Sequence, residues 1–184
     1  MSRRWSSGLL GIVLAFAACG IPSQDAPHVM TDATLPREPT TAPPDAPAVV
    51  DTPVYFIRDD KPVAVARRAS GSGIDDVLDA LLKGPADVEI SAGLRTALPV
   101  GARIRIVDVT AGVAQLDVGS LLDGVTGQEQ ILVFAQLVLT ATSAGNVGAV
   151  AFTQSGRRID APLVDGTLVS RPVTAADYAR LITE

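Results

Sequence analysis

The 184-residue chain has one cysteine, Cys19, and one histidine, His28. Those two counts exclude an intramolecular disulfide, a Cys/His zinc site and a Ser-His-Asp triad with a histidine to spare, and they leave a Cys-His dyad only if His28 belongs to it. His28 follows Pro27 in a proline-rich stretch, where an imidazole is a solvated side chain without assigned chemistry. From Pro53 onward there is neither a cysteine nor a histidine, so catalysis there would have to use carboxylates, Arg, Lys, Tyr or Ser. Asp75, Asp76 and Asp79 stand at the start of a predicted helix, where acids complement the helix dipole. Asp108 and Asp117 on neighbouring predicted strands have the residue types of a glycosidase pair, but alternation on a half-exposed sheet explains them more simply. Gly71 and Gly73 precede a helix, yet Ser70 to Gly73 lacks the lysine of a phosphate loop and the third glycine of a dinucleotide fingerprint. The sequence predicts no catalytic residue, no metal and no cofactor.

Three segments carry these residues. Arg3 and Arg4, the apolar run Gly8 to Phe16, and then Ala17 and Ala18 have the layout of an export signal over residues 1–18. An apolar run of about nine residues is too short for a permanent membrane span, which needs ~20. Trp5, Ser6 and Ser7 do not continue a twin-arginine pattern, so general secretion is expected. Two small residues followed by Cys19 and Gly20 resemble a bacterial lipobox, in which the cysteine thiol receives a diacylglycerol; Phe16 stands where that pattern prefers leucine. Lipidation of Cys19 predicts attachment to the extracytoplasmic face of the cell membrane. Each buried methylene contributes ~0.8 kcal/mol, and two or more chains hold a protein stably. Over residues 19–52 the composition changes: eight of the thirteen prolines fall between Pro22 and Pro53. Without apolar periodicity this stretch is expected to be a solvated tether, spanning about 30 Å as a coil and about 100 Å when polyproline-like.

Residues 53–184 read as one folded domain. Val54 to Ile57 and Pro62 to Arg68 are β runs joined by the polar turn Arg58 to Lys61. Ile74, Val77, Leu78, Leu81 and Leu82 share one face of a helix, with Ser72 as its expected cap and Gly84 and Pro85 as its stop. Ile104 to Val109 and Val113 to Val118 read as a hairpin around Ala111 and Gly112. Thr126 and Glu129 have the spacing of a capping box for a longer helix continuing to about Ala144. That helix is apolar nearly all round and is expected to be the most buried element. Val147 to Phe152 and Arg157 to Ile159 read as strands, and a short helix begins at Thr174. The fold class expected is α+β, a mostly antiparallel or mixed sheet with two main helices on one face and a short C-terminal helix.

On these elements arginine is the remaining candidate. Arg67 with Arg68, Arg103 with Arg105, and Arg157 with Arg158 lie on predicted strands. Arg103 and Arg105 share a face, whereas adjacent pairs split between faces. Arg103, Arg105, Arg67 and Arg157 could therefore gather into a positive patch that takes carboxylate or phosphate through the guanidinium fork. The expected ligand is an anionic envelope polymer, a lipid head group or an acidic partner; a solvated face balanced by nearby Asp is the plainer alternative. A net charge of −5 argues against nucleic-acid binding.

Leu81 to Pro85, Gly93 to Pro99, and the hairpin with Gly112 and Val113 to Val118 resemble the GerMN domain of the sporulation and spore-germination type. The likeness continues through Gln130, Ala135, Gln136, Leu137 and Thr140 to Val147, Val150, Phe152 and Gly156. With the lipobox and the tether, the chain resembles the GerMN lipoproteins of actinobacteria, and 13 arginines against two lysines fit a GC-rich genome. The resemblance implies an extracytoplasmic, non-catalytic module that contacts another cell-envelope protein or an anionic envelope component. The alternative is a lipoprotein carrying an apolar ligand between helices and sheet.

Overall fold

The computed structural model describes residues 50–69 and 71–183. The expected signal segment, Cys19, His28 and nearly all of the expected tether lie outside the described residues. The fold is α+β.

The first strand, β1 (Val50–Arg58), pairs antiparallel with β2 (Lys61–Ala69) in unbroken register. It begins three residues before the expected domain start, and Thr52 is already buried. Between the strands, Asp59 and Asp60 both have positive φ. That is the requirement of a two-residue turn whose twist matches the strands it joins. Helix α1 (Ile74–Leu82) buries Ile74, Val77, Leu78 and Leu81 as the spacing predicts. Its cap is Gly73 without a side-chain hydrogen bond, so Ser72 does not cap it. A five-residue helix, α2 (Asp87–Ser91), follows in the stretch expected to be loop.

Strands β3 (Arg105–Thr110), β4 (Val113–Asp117), β5 (Ala149–Gln154) and β6 (Arg157–Ile159) form a four-stranded sheet in chain order. The β3–β4 and β5–β6 hairpins are antiparallel, and β4 and β5 are parallel. Parallel neighbours need a crossover, and the long helix α3 (Gly127–Ala141) provides it. Every residue from Ile131 to Ala141 is buried, because α3 packs on β1, β5 and α1. Phe134 of α3 meets Phe152 of β5 edge to face at 4.6 Å between ring centroids. The expected capping box does not form. Thr126 makes no side-chain cap bond, and Glu129 turns instead to Arg95, at 2.7 and 3.1 Å.

A short ladder of β7 (Ala161–Pro162) and β8 (Leu168–Val169) went unseen in the sequence, being two residues per strand. Val173 then bridges to Val150 of β5 by two backbone hydrogen bonds. The chain closes with a 3-10 turn, Ala175–Tyr178, and helix α4 (Ala179–Thr183). Asp177 accepts the Thr174 N–H at 2.8 Å and the Thr174 hydroxyl at 3.0 Å. Buried Tyr178 donates its hydroxyl to the Pro162 carbonyl at 2.8 Å. The buried apolar side chains of β1, α1, β4, α3, β5, β7 and the C-terminal turn form one core.

Candidate functional site

The four arginines expected to gather are carried by different parts of the fold: Arg67 by β2, Arg103 by the loop before β3, Arg105 by β3 and Arg157 by β6. Arg67 on β2 reaches Glu89 of α2 through both guanidinium ends, at 2.8 and 2.5 Å, with its carbon 5.0 Å from the centroid of the Phe56 ring. Glu89 also accepts the Ala86 N–H at 2.7 Å. The Arg67 guanidinium, and after it the Ala86 N–H, hold the Glu89 carboxyl below its ordinary value. The Arg67 fork is therefore engaged inside the molecule.

Arg105 lies on β3 opposite Asp117 of β4, 3.4 Å from Nη2 to Oδ2. Their row continues through Thr153 of β5 to Arg158 of β6. Laterally paired residues share a face, so Arg158, not Arg157, stands on the side of Arg105. Three interstrand spacings, roughly 14 Å, separate the two edge strands. Arg103 is not on a strand at all; it precedes β3 in a loop.

Of the two strand carboxylates, Asp117 is held as an anion. Asp117 is buried and accepts the Gly156 N–H at 2.8 Å and the Gly119 N–H at 3.0 Å. Those two N–H groups, Gly156 foremost, hold its carboxyl below the ordinary range, whereas the acid of a glycosidase pair needs a raised value. Asp108 is bound by the Thr110 hydroxyl. Asp75 and Asp76 occupy the first turn of α1. A Cβ built on Gly71 would lie 2.7 Å from the Asp76 carboxylate, so an acid stands beside the entry turn where a phosphate site would need free N–H groups. Among the described residues no group of three or more His, Cys, Asp or Glu is placed to hold a metal ion.

Two surface clefts, of about 320 and 260 Å³, flank the turn from Pro99 to Ala102. Ala102 donates its N–H to the Pro99 carbonyl at 3.0 Å, and Gly101 has φ +77°, the conformation a type II turn demands at its third position. The turn displays Val100, which is 107% exposed. Arg103 lines one cleft and Lys83 the other, and no Asp or Glu lines either. Neither cation makes an ion pair among the described residues. A further cleft of about 410 Å³ lies between the start of α3 and the β7–β8 loop. These clefts open on surface loops, not between α3 and the four-stranded sheet. Sequence reasoning missed Lys83 and Val100; the available signal was Pro99-Val100-Gly101, an apolar residue set between two turn formers.

A family model described as "Sporulation and spore germination" matches residues 53–160. The solved first GerMN domain of the sporulation protein GerM from Bacillus subtilis is 19% identical, with a TM-score of 0.55, over 69% of this chain and 98% of that domain. The tandem GerMN domains of the same protein match with a TM-score of 0.56 at 19% identity, over 70% of this chain. The present chain spans about half, 47%, of that tandem structure. No curated protein matches.

Proposed function

Because the chain belongs to the sporulation and spore germination family, we propose that it is a non-catalytic contact module of the bacterial cell envelope, anchored to the membrane by lipid on Cys19. In this reading the domain works by binding another envelope protein, and its proline-rich tether lets it stand off the membrane. The observation that supports the non-catalytic part is the hydrogen bonding of the carboxylates: Glu89, Asp117 and Asp177 are each held by backbone N–H groups and by Arg67, Arg105 and Arg171 respectively. Where the fold alters a carboxylate, at Glu89, Asp117, Asp165 and Asp177, it stabilises the anion, so none of these is poised to exchange protons near neutrality. Arg67, Arg95 and Arg171 are tied to internal carboxylates, while Lys83 and Arg103 make no ion pair among the described residues.

Membrane attachment is tested by fractionating cells that make the Cys19→Ala chain. The variant protein is expected in the soluble extracytoplasmic fraction, whereas the unaltered chain sediments with membranes. Retention of the variant on membranes would overturn the anchor.

A further inference from the structure

We infer that the Pro99–Ala102 turn and its two clefts form a docking site for a carboxylate-bearing apolar segment of a partner envelope protein. Val100 seats the apolar part, and Lys83 and Arg103 take the acids. This rests on the contact-module reading and adds the place of contact and the chemistry it accepts.

The first ground is presentation. Val100 is wholly exposed, yet it is held by the Pro99–Ala102 hydrogen bond and by the backbone conformation of Gly101. A surface already ordered loses little further entropy on binding. Leu82, 37% exposed, lines the cleft on one side of the turn, and buried Leu121 lines the cleft on the other, so the valine sits between two partly apolar recesses.

The second ground is charge. The whole chain is net acidic, at −5, but these two clefts contribute one cation each and no acid. Arg67, Arg95, Arg105 and Arg171 all have carboxylate partners within the fold. Among the described residues Lys83 and Arg103 have none, as is true also of Lys61, Arg157 and Arg158; what sets Lys83 and Arg103 apart is that they flank one exposed apolar turn, where a partner's carboxylates meet them without displacing an ion pair. Two cations on a net-negative body suit a protein segment and not an anionic lipid surface, whose attraction rises with each clustered Lys or Arg.

The test places a photo-crosslinking benzoylphenylalanine at Val100 of the full chain in intact cells, with a second chain carrying it at Leu168, an apolar residue 62% exposed on β8. From position 100 the expected adduct is with one envelope protein, at a segment where Asp or Glu adjoins an apolar residue. Lys83→Glu with Arg103→Glu should cut the yield about tenfold, the direction expected for opposing charge at a binding site, without moving the Tm. Changing the acids of the acceptor segment to lysine should restore it. Adducts with lipid alone, or a yield indifferent to the charge reversal, would overturn the docking site. Protein adducts from position 168 but none from 100 would overturn it while leaving the contact-module reading intact. No protein adduct from either position counts against both.

Discussion

Gln136 is an amide in the middle of the most buried helix, and its role lies outside that helix. Its Oε1 accepts the Ala97 N–H at 2.9 Å, and its amide nitrogen donates to the Thr96 hydroxyl at 3.2 Å. Gln136 thereby satisfies a buried backbone donor in the segment that leads into the Pro99 turn. Thr140, one turn later, does the same for β1 by accepting the Tyr55 N–H at 3.0 Å. Gln136→Leu keeps the approximate shape and strands the Ala97 N–H. An unpaired buried donor costs about 1–3 kcal/mol, and a lower urea midpoint with an unchanged m-value is the expected result. A midpoint equal to that of the unaltered chain would show that the amide does not hold this segment. That Gln136 and Thr140 are polar was plain in the sequence, and so was the burial of their helix. Their partners lie about forty and eighty-five positions away, and no local pattern reports such a pairing.

At the scale of elements, α2 is held without a buried side chain of its own; the Arg67–Glu89 fork ties it to β2, and the Leu94 N–H closes on Glu89 at 2.9 Å. Arg67→Ala should raise amide hydrogen exchange across residues 87–92 by about tenfold or more, while α3 and the β1–β2 hairpin keep their protection. Equal loosening throughout would mean that the pair supports the core and not α2. The three hairpins were legible for a local reason. Asp59-Asp60, Ala111-Gly112 and Ser155-Gly156 all have positive φ at both positions, and each turn joins two β-rich runs. The Thr126–Glu129 signature misled because Glu129 had a stronger partner. A two-pronged bond between two full charges, as with Arg95, outweighs a single bond from a backbone amide to the same carboxylate. Arg95 also reaches Asp60 at 2.9 Å, so one guanidinium joins the first hairpin turn to the start of α3.

For the whole molecule, the shifted carboxylates set how stability depends on pH. The Arg171 guanidinium, with the Thr174 N–H and hydroxyl, lowers Asp177 from 3.8 to about 2, and Glu89, Asp117 and Asp165 are shifted in the same direction. A group with a depressed folded-state value contributes stability that is complete above its unfolded value and is lost as pH falls through the folded one. The urea midpoint should therefore be level from about pH 7 to 5 and fall between about pH 4.5 and 2, and Asp177→Asn should flatten that fall. An acid limb identical in the variant would remove Asp177 from this account. The sequence by itself determined the α+β class, the hairpin turns, the burial of α3 and the absence of Cys and His from the domain, because local backbone preference and apolar period act over a few residues. It also held the signals from which lipidation at Cys19 is proposed. Only the tertiary structure decided which charges are free. Arg67 and Arg105 are paired by residues distant in the chain, the supposed patch is divided between the β1–β2 hairpin, a loop and the two edges of a sheet, and Lys83 and Arg103 are brought to either side of Val100. Ion pairing depends on distances of a few ångströms across the fold, and those are set by packing the whole core.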